Sequence, residues 1–128
     1  MENIKVNSLE AVLTFAVYIC AQDKEISTDE IIELIQASQI MENSLLFTGE
    51  FLRIDIKNFI EKRKNDLLNS GEFLGKNITE NEENYYSSIL TDSEIIDLAL
   101  RVARISASID GFHRNENYKF RFWLNKWN

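Results

Sequence analysis

The sequence predicts an all-α fold, a single compact bundle of about six or seven helices in which residues 1–128 form one domain. Apolar residues recur at helical spacing over most of the chain. The S/T-x-x-E spacing of a capping box, which opens helices, occurs at Ser27 and Glu30 and at Thr91 and Glu94. Proline is absent, so nothing interrupts a helix, and no alternating pattern indicates a strand.

The first helix is predicted from Leu9 to Ala21. It is apolar almost all round, which is typical of a helix at the centre of a core. The stretch is shorter than the ~20 apolar residues that a membrane span needs. It contains the single cysteine, Cys20, whose apolar neighbours predict a buried thiol in a reducing compartment. No signal peptide is recognised, and we expect a cytoplasmic protein.

Ser27 and Glu30 form the first capping-box match and predict a second helix that ends near Asn43. Its buried side is predicted to carry Ile31, Leu34, Ile35 and Ser38.

A third helix is predicted to begin at Thr48 or Gly49 and to stop at Ser70-Gly71. Its solvated face is expected to carry Lys62, Arg63, Lys64 and Asp66.

Residues 72–84 are rich in Gly, Asn and Glu and are predicted to be irregular, with a short helix in 85–90. Thr91 and Glu94 form the second capping-box match, and the helix that follows has a regular apolar face from Ile95 to Ile109. A last helix from about Asn115 brings together Phe120, Trp123, Leu124 and Trp127.

Two segments of the chain repeat one pattern. Residues 21–30 and residues 107–116 each follow an apolar helix, contain an acidic residue at the turn and end with acid at the start of the next helix. The turn residues Asp23 and Asp110 are 87 positions apart. This repetition predicts two related acidic helix-turn-helix units packed near each other.

An apolar helix that ends in Asp-Gly, followed by a polar turn and an acidic residue that opens an amphipathic helix, resembles the tellurite-resistance TerB-like domains. Residues 107–116 are the better match, because Lys24 replaces the usual glycine in residues 21–30. The resemblance implies a helical bundle that takes part in bacterial tellurite resistance or related stress and defence systems. It also implies a divalent-cation site at Asp23, Asp29, Glu30, Asp110 and Glu116.

Carboxylates at a turn are hard oxygen ligands that suit Ca²⁺ or Mg²⁺. Zn²⁺ fits less well, because His113 and Cys20 are the only imidazole and thiol in the chain. Neither turn has the ligand spacing of an EF-hand. The alternative is that Asp29 and Glu30 only stabilise the positive end of a helix dipole, which needs no metal.

Charge is unevenly distributed. Residues 1–100 carry 8 Lys/Arg and 19 Asp/Glu, and residues 101–128 carry 6 and 2. The acidic bulk argues against nucleic acid, whose binding depends on positive charge. The basic tail, which interleaves Arg114, Lys119, Arg121 and Lys126 with aromatic residues, fits single-stranded nucleic acid or a helix end.

No phosphate-binding loop or paired nucleophile and base is present, and a single histidine offers little acid-base chemistry, so an enzyme is not expected. Two functions remain open. The chain is either a TerB-like stress protein that binds a divalent cation or a protein partner through its acidic turns, or an immunity protein. The immunity protein would neutralise a basic, nuclease-type toxin by forming a tight complex.

Overall fold

The computed structural model describes residues 4–23, 25–42, 55–75, 77–109, 111 and 113–127. These ranges contain a short 3₁₀ turn (Ala21–Asp23) and no strand. They form six helices: α1 (Leu9–Cys20), α2 (Thr28–Glu42), α3 (Ile56–Ser70), α4 (Glu80–Ile89), α5 (Ser93–Ala107) and α6 (Arg114–Trp127). The predicted all-α bundle is confirmed.

α1 is the centre of the bundle, as predicted. Every residue of it except Glu10 is buried, including the thiol-bearing Cys20. It packs most extensively against α5 and also contacts α2, α3 and α6. The hydroxyl of Ser8 caps its first turn by accepting the Ala11 N–H at 3.1 Å. No helix in the described ranges is long and apolar enough to cross a membrane.

Asn7 fastens the start of α1 to the link between α4 and α5. Its Oδ1 accepts the N–H groups of Thr91 at 2.9 Å and Asp92 at 3.0 Å, and its Nδ2 donates to Thr91 Oγ1 at 2.8 Å. Its backbone lies in the left-handed region, with φ 58°, which asparagine tolerates better than most residues. These bonds tie together residues 84 and 85 positions apart.

The start of α2 is the predicted capping box. Ser27 Oγ accepts the Glu30 N–H at 3.1 Å, and Glu30 Oε1 accepts the Ser27 N–H at 2.9 Å. The predicted inner side is also confirmed, with Leu34 and Ser38 buried and Ile31 and Ile35 packed against the core.

The predicted cap of α5 is wrong by one residue. Asp92 rather than Thr91 caps the helix, since its Oδ1 accepts the N–H groups of Glu94 at 2.9 Å and Ile95 at 3.2 Å. The Thr91 hydroxyl is bound by Asn7 instead. α6 begins at Arg114, next to the predicted start, and its four aromatic and leucine positions pack on the core as expected.

α3 begins after the N-cap Asp55, and its predicted start at 48 or 49 lies outside the described residues. It stops at Ser70 as predicted, with Gly71 at φ 67°. The prediction that its solvated face includes Arg63 is wrong. The Arg63 side chain is buried, lies over the Phe59 ring at 5.7 Å and binds Asp66 Oδ2 through Nη2 at 2.8 Å.

The prediction that residues 72–84 are irregular is wrong from position 80 onwards, because α4 begins at Glu80. Its start is another capping box, in which Thr79 Oγ1 accepts the Glu82 N–H at 3.1 Å and Glu82 Oε1 accepts the Thr79 N–H at 3.2 Å. The first turn is polar and lacks an apolar repeat, so the helical period does not reveal it.

A buried ion pair connects α4 with α6. Lys119 Nζ lies 2.5 Å from Glu82 Oε2, and both side chains are fully buried. The Tyr18 hydroxyl donates to the same oxygen, and Trp123 Nε1 donates to the Tyr18 hydroxyl at 3.0 Å. Lys119 Nζ also donates to the Phe73 carbonyl at 2.9 Å. α1, α4, α6 and the α3–α4 loop therefore meet at one polar cluster.

Aromatic rings surround that cluster. Tyr18 stacks on Tyr86 with ring centroids 4.1 Å apart, and Phe15 meets the edges of Tyr86 and Trp123 at 5.9 Å each. Burial raises the pKa of the Tyr18 and Tyr86 hydroxyls well above the ordinary value, and the negative charge of Glu82 adds to the effect. Both phenols therefore stay protonated as long as the protein is folded.

Stability should consequently fall at alkaline pH. Because the pKa of Tyr86 is raised in the folded protein, above pH ~10 the unfolded chain releases a proton that the folded chain keeps. This release stabilises the unfolded state relative to the folded state. In Tyr86→Phe this release is absent. Between about pH 9 and about pH 11 its free energy of unfolding should decrease by ~1.4 kcal/mol less than that of the wild type. Urea denaturation followed by circular dichroism measures both slopes, and equal slopes would contradict the assignment.

Candidate functional site

The two predicted helix-turn-helix units lie side by side. The first consists of α1 and α2 and the second of α5 and α6. α1 packs along α5, α2 also contacts α5, and α6 contacts the 3₁₀ turn that follows α1. The two acidic turns are thus brought to neighbouring positions.

Glu30 and Glu116 have the same role in the two units. Each is the third residue of its helix and is buried. Glu30 Oε1 accepts the N–H of Ser27 at 2.9 Å, and Glu116 Oε1 accepts the N–H of His113 at 3.0 Å. Both carboxylates therefore close the N-terminus of the helix that leaves the turn.

A direct hydrogen bond joins the two turns. Asn115 Nδ2, in the first turn of α6, donates to the carbonyl of Gln22 at 3.4 Å. The Gln22 side chain is buried, and its Nε2 donates to the carbonyls of Tyr18 at 2.8 Å and Phe73 at 3.0 Å. The first turn is thereby held to both α6 and the α3–α4 loop.

The structure describes the side chains of three of the five predicted cation ligands. Glu30 and Glu116 are buried caps, whereas Asp29 is exposed at the second position of α2. Asp23 belongs to the 3₁₀ turn and its side chain lies outside the described parts, as does all of Asp110. The described side chains include no group of three or more His, Cys, Asp or Glu that would hold a metal ion.

The outward side of α2 was not predicted as a site. Asp29, Ile32, Glu33, Gln36 and Ile40 share one side of the helix at spacings of three, four, seven and eleven residues, and we call them the α2 face. Ile32 is 46% exposed and Ile40 is 75% exposed. These two isoleucines fall outside the apolar repeat that marks the buried side, which is the signal that sequence reasoning could have used.

The α2 face lies in a stretch without positive charge. Residues 25–52 contain six Asp or Glu and no Lys or Arg. The α2 face therefore combines two large apolar side chains with two carboxylates and one amide, and it contains no cation.

Part of the positive charge of the basic tail is paired within the chain. Lys119 is buried in the ion pair with Glu82, and Lys126 Nζ binds Glu83 Oε2 at 2.6 Å. Arg101 pairs with Asp97 at 3.2 Å. Three of the six cations in residues 101–128 are thus held by carboxylates of the chain itself, which leaves less charge for phosphate.

Comparison with known proteins gives no relative. No protein-family model matches the chain, and no curated protein and no solved structure is similar to it. The function has to be inferred from the chain's own geometry.

We expect Ca²⁺ and Mg²⁺ at millimolar concentration to leave the thermal midpoint of the wild type unchanged, because Glu30 and Glu116 are already used as helix caps. A bound cation would stabilise the folded state, by about 2.7 kcal/mol at a hundred times its dissociation constant. Differential scanning calorimetry of the wild type and of Asp110→Asn measures the effect. A midpoint that rises with either ion in the wild type alone would establish the cation site and refute this expectation.

Proposed function

We propose that this protein is a non-enzymatic, TerB-like stress or defence protein that works by binding a protein partner with a basic surface, and that the α2 face is the contact. One observation carries the proposal. Two exposed isoleucines stand among carboxylates in a stretch from which lysine and arginine are absent.

The isoleucines supply the affinity in this account. Fully burying an isoleucine side chain contributes about 1.5–3 kcal/mol, and the centre of a protein interface is typically apolar. Ile40, which is 75% exposed, has the most area to lose to a partner. Lysine, which is depleted at interfaces, is absent from residues 25–52, which include the α2 face.

In this account the carboxylates orient the approaching partner and raise the rate of association. The chain carries a formal net charge of −7, which attracts a basic partner over a distance and raises its association rate. Asp29 is exposed and Glu33 is partly exposed beside Ile32, so they would meet cationic side chains at the edge of the apolar contact. This arrangement makes the association rate dependent on salt.

A nuclease-type toxin is the second candidate partner. If the partner is such a toxin, the function of the chain is that of an immunity protein. Such a toxin must be basic where it meets nucleic acid, because phosphate binding depends on positive charge. The α2 face contains carboxylates and no cation. Its charge is therefore negative, like that of the nucleic acid which the basic surface of the toxin binds. The same α2 face therefore supports both the TerB-like proposal and its alternative.

The test begins with a photo-cross-linking amino acid placed at Ile40 in the full chain, expressed in the cells that make it. A control chain carries the same group at Ile105, a residue of α5 that is 51% exposed. We expect a defined partner to be captured from position 40 and not from position 105. The captured protein is then purified, and its binding is measured by surface plasmon resonance at low and high salt.

Two pairs of matched variants complete the test. Ile40→Ser should weaken the complex at least tenfold, and Ile105→Ser should not. Asp29→Asn should slow association more than Glu94→Gln does, although Asp29 and Glu94 are both second residues of their helices and interact similarly with the dipole. Equal losses of affinity in the isoleucine pair, or equal losses of association rate in the carboxylate pair, would refute the proposal that the α2 face binds the partner. Inhibition of a captured nuclease would identify an immunity protein, and a partner without such activity would favour the stress role.

A further inference from the structure

A cleft of about 640 Å³ lies between α3, the α3–α4 loop and α4, and reaches α1 at Thr14. Its volume is within the range of sites that bind small molecules, roughly 300–1,000 Å³. No residue of α2 lines it, so an inference about this cleft goes beyond the proposed function and does not depend on it.

Two hydroxyl groups in the lining are buried without a hydrogen bond. Thr14 is buried, and within the described part of the chain neither Thr14 Oγ1 nor Tyr85 Oη has a hydrogen-bond partner. Buried polar groups nearly always have one, so both hydroxyls are available to a water molecule or to a ligand in the cleft. Burial raises the pKa of Tyr85, so its hydroxyl stays protonated and is able to donate as well as accept.

Aromatic rings form one wall of the cleft. Phe73 and Tyr85 lie nearly parallel, with ring centroids 6.0 Å apart and an interplanar angle of 29°. Tyr86 meets both rings edge-on, at 5.8 Å from Phe73 and 5.0 Å from Tyr85. The Phe73 carbonyl accepts hydrogen bonds from Gln22 Nε2 and Lys119 Nζ, which hold the backbone of this residue in place. The wall is therefore preorganised for a flat apolar group.

The charges in the lining favour a cation over an anion. Arg63 is the only cation among the described residues of the lining, and its Nη2 binds Asp66 Oδ2 at 2.8 Å. The exposed Glu72 adds a second carboxylate, so the described residues of the lining carry one net negative charge. A positively charged group near aromatic faces is also stabilised by their π electrons.

We propose that this cleft binds a small planar aromatic molecule that carries an amine. The ring lies against Phe73, Tyr85 and Tyr86. A polar atom of the ring system hydrogen-bonds with the hydroxyls of Thr14 and Tyr85, and the ammonium group lies towards Glu72.

Three probes that share an indole ring and differ in charge test the proposal: tryptamine, the neutral alcohol tryptophol, and indole-3-acetate. Binding to the full chain is measured by ¹⁵N NMR titration. We expect tryptamine to bind with a Kd of about 1 mM or lower, tryptophol more weakly and indole-3-acetate most weakly. The shifted resonances should belong to α3, the α3–α4 loop and α4. If none of the three shifts these resonances, or if indole-3-acetate binds best, the proposal is wrong.

Two variants address the contacts, with one control. Thr14→Val keeps the shape of the side chain and removes its hydroxyl, so it should weaken tryptamine binding about fivefold, the value of one hydrogen bond. Ser106→Ala removes another buried hydroxyl that has no hydrogen bond within the described residues but lies outside the cleft. It should leave the Kd unchanged. Glu72→Gln should abolish the preference for tryptamine over tryptophol.

Circular dichroism confirms that each variant is folded. Tryptamine binding that is equal in the wild type and Thr14→Val would place the ligand elsewhere and refute the site. The α2 face contributes no residue to the cleft. A failed cross-linking experiment would therefore refute only the proposed function, and absent indole binding would refute only the cleft proposal.

Discussion

The buried ion pair between Glu82 and Lys119 is the constraint on which the rest of the structure depends. Two charges removed from water are costly unless each finds further polar contacts. Here Glu82 receives the Tyr18 hydroxyl as well as the ammonium group, and Lys119 also reaches the Phe73 carbonyl. Burial lowers the pKa of Lys119, and the Glu82 carboxylate opposes that shift. Because these partners come from α1, α4, α6 and the α3–α4 loop, the pair specifies how those four segments meet.

A common device explains why carboxylates are buried in this acidic chain. Glu30, Glu82 and Glu116 are the buried glutamates of the described residues, and each is the third residue of a helix. Each accepts the N–H of the residue that precedes its helix, Ser27, Thr79 or His113. The acidic pattern that predicts a cation site in the sequence has, in these residues, a structural use. The two surfaces proposed for binding, the α2 face and the cleft beside Phe73, do not include these three carboxylates.

The sequence predicted the parts of the fold that have local causes. The helical period located α1, α2, α5 and α6, and the S-x-x-E spacing located the Ser27 cap. The start of α4 has a local signal too, since Thr79 and Glu82 have the T-x-x-E spacing, but its polar first turn lacks the apolar repeat on which the prediction depended. Glu82 is also held by Lys119, which is 37 positions away. For the same reason Lys119 looked like part of a basic tail. Arg63 was predicted to be exposed because charged side chains usually are. Its burial depends on Asp66 and on the rings that cover it, which the sequence does not identify.

The candidate site also has some parts that the sequence predicts and others that it does not. The two turns and the shared role of their carboxylates follow from the repeated pattern in the sequence. The exposure of Ile32 and Ile40 depends on which side of α2 faces the core, and the cleft depends on the meeting of three helices. Neither has a local signature in the chain.

A double-mutant cycle on Glu82 and Lys119 tests the central claim most directly. Lys119→Met leaves a buried carboxylate without its ion pair and should lower the free energy of unfolding by about 3–5 kcal/mol. Glu82→Gln should cost a similar amount, because Lys119 then stays buried without a carboxylate. The double variant should be more stable than the sum of the two losses predicts, with a coupling energy of about 2 kcal/mol or more in urea denaturation. Losses that add within about 0.5 kcal/mol would show that the two groups do not act as a pair, which would contradict the account.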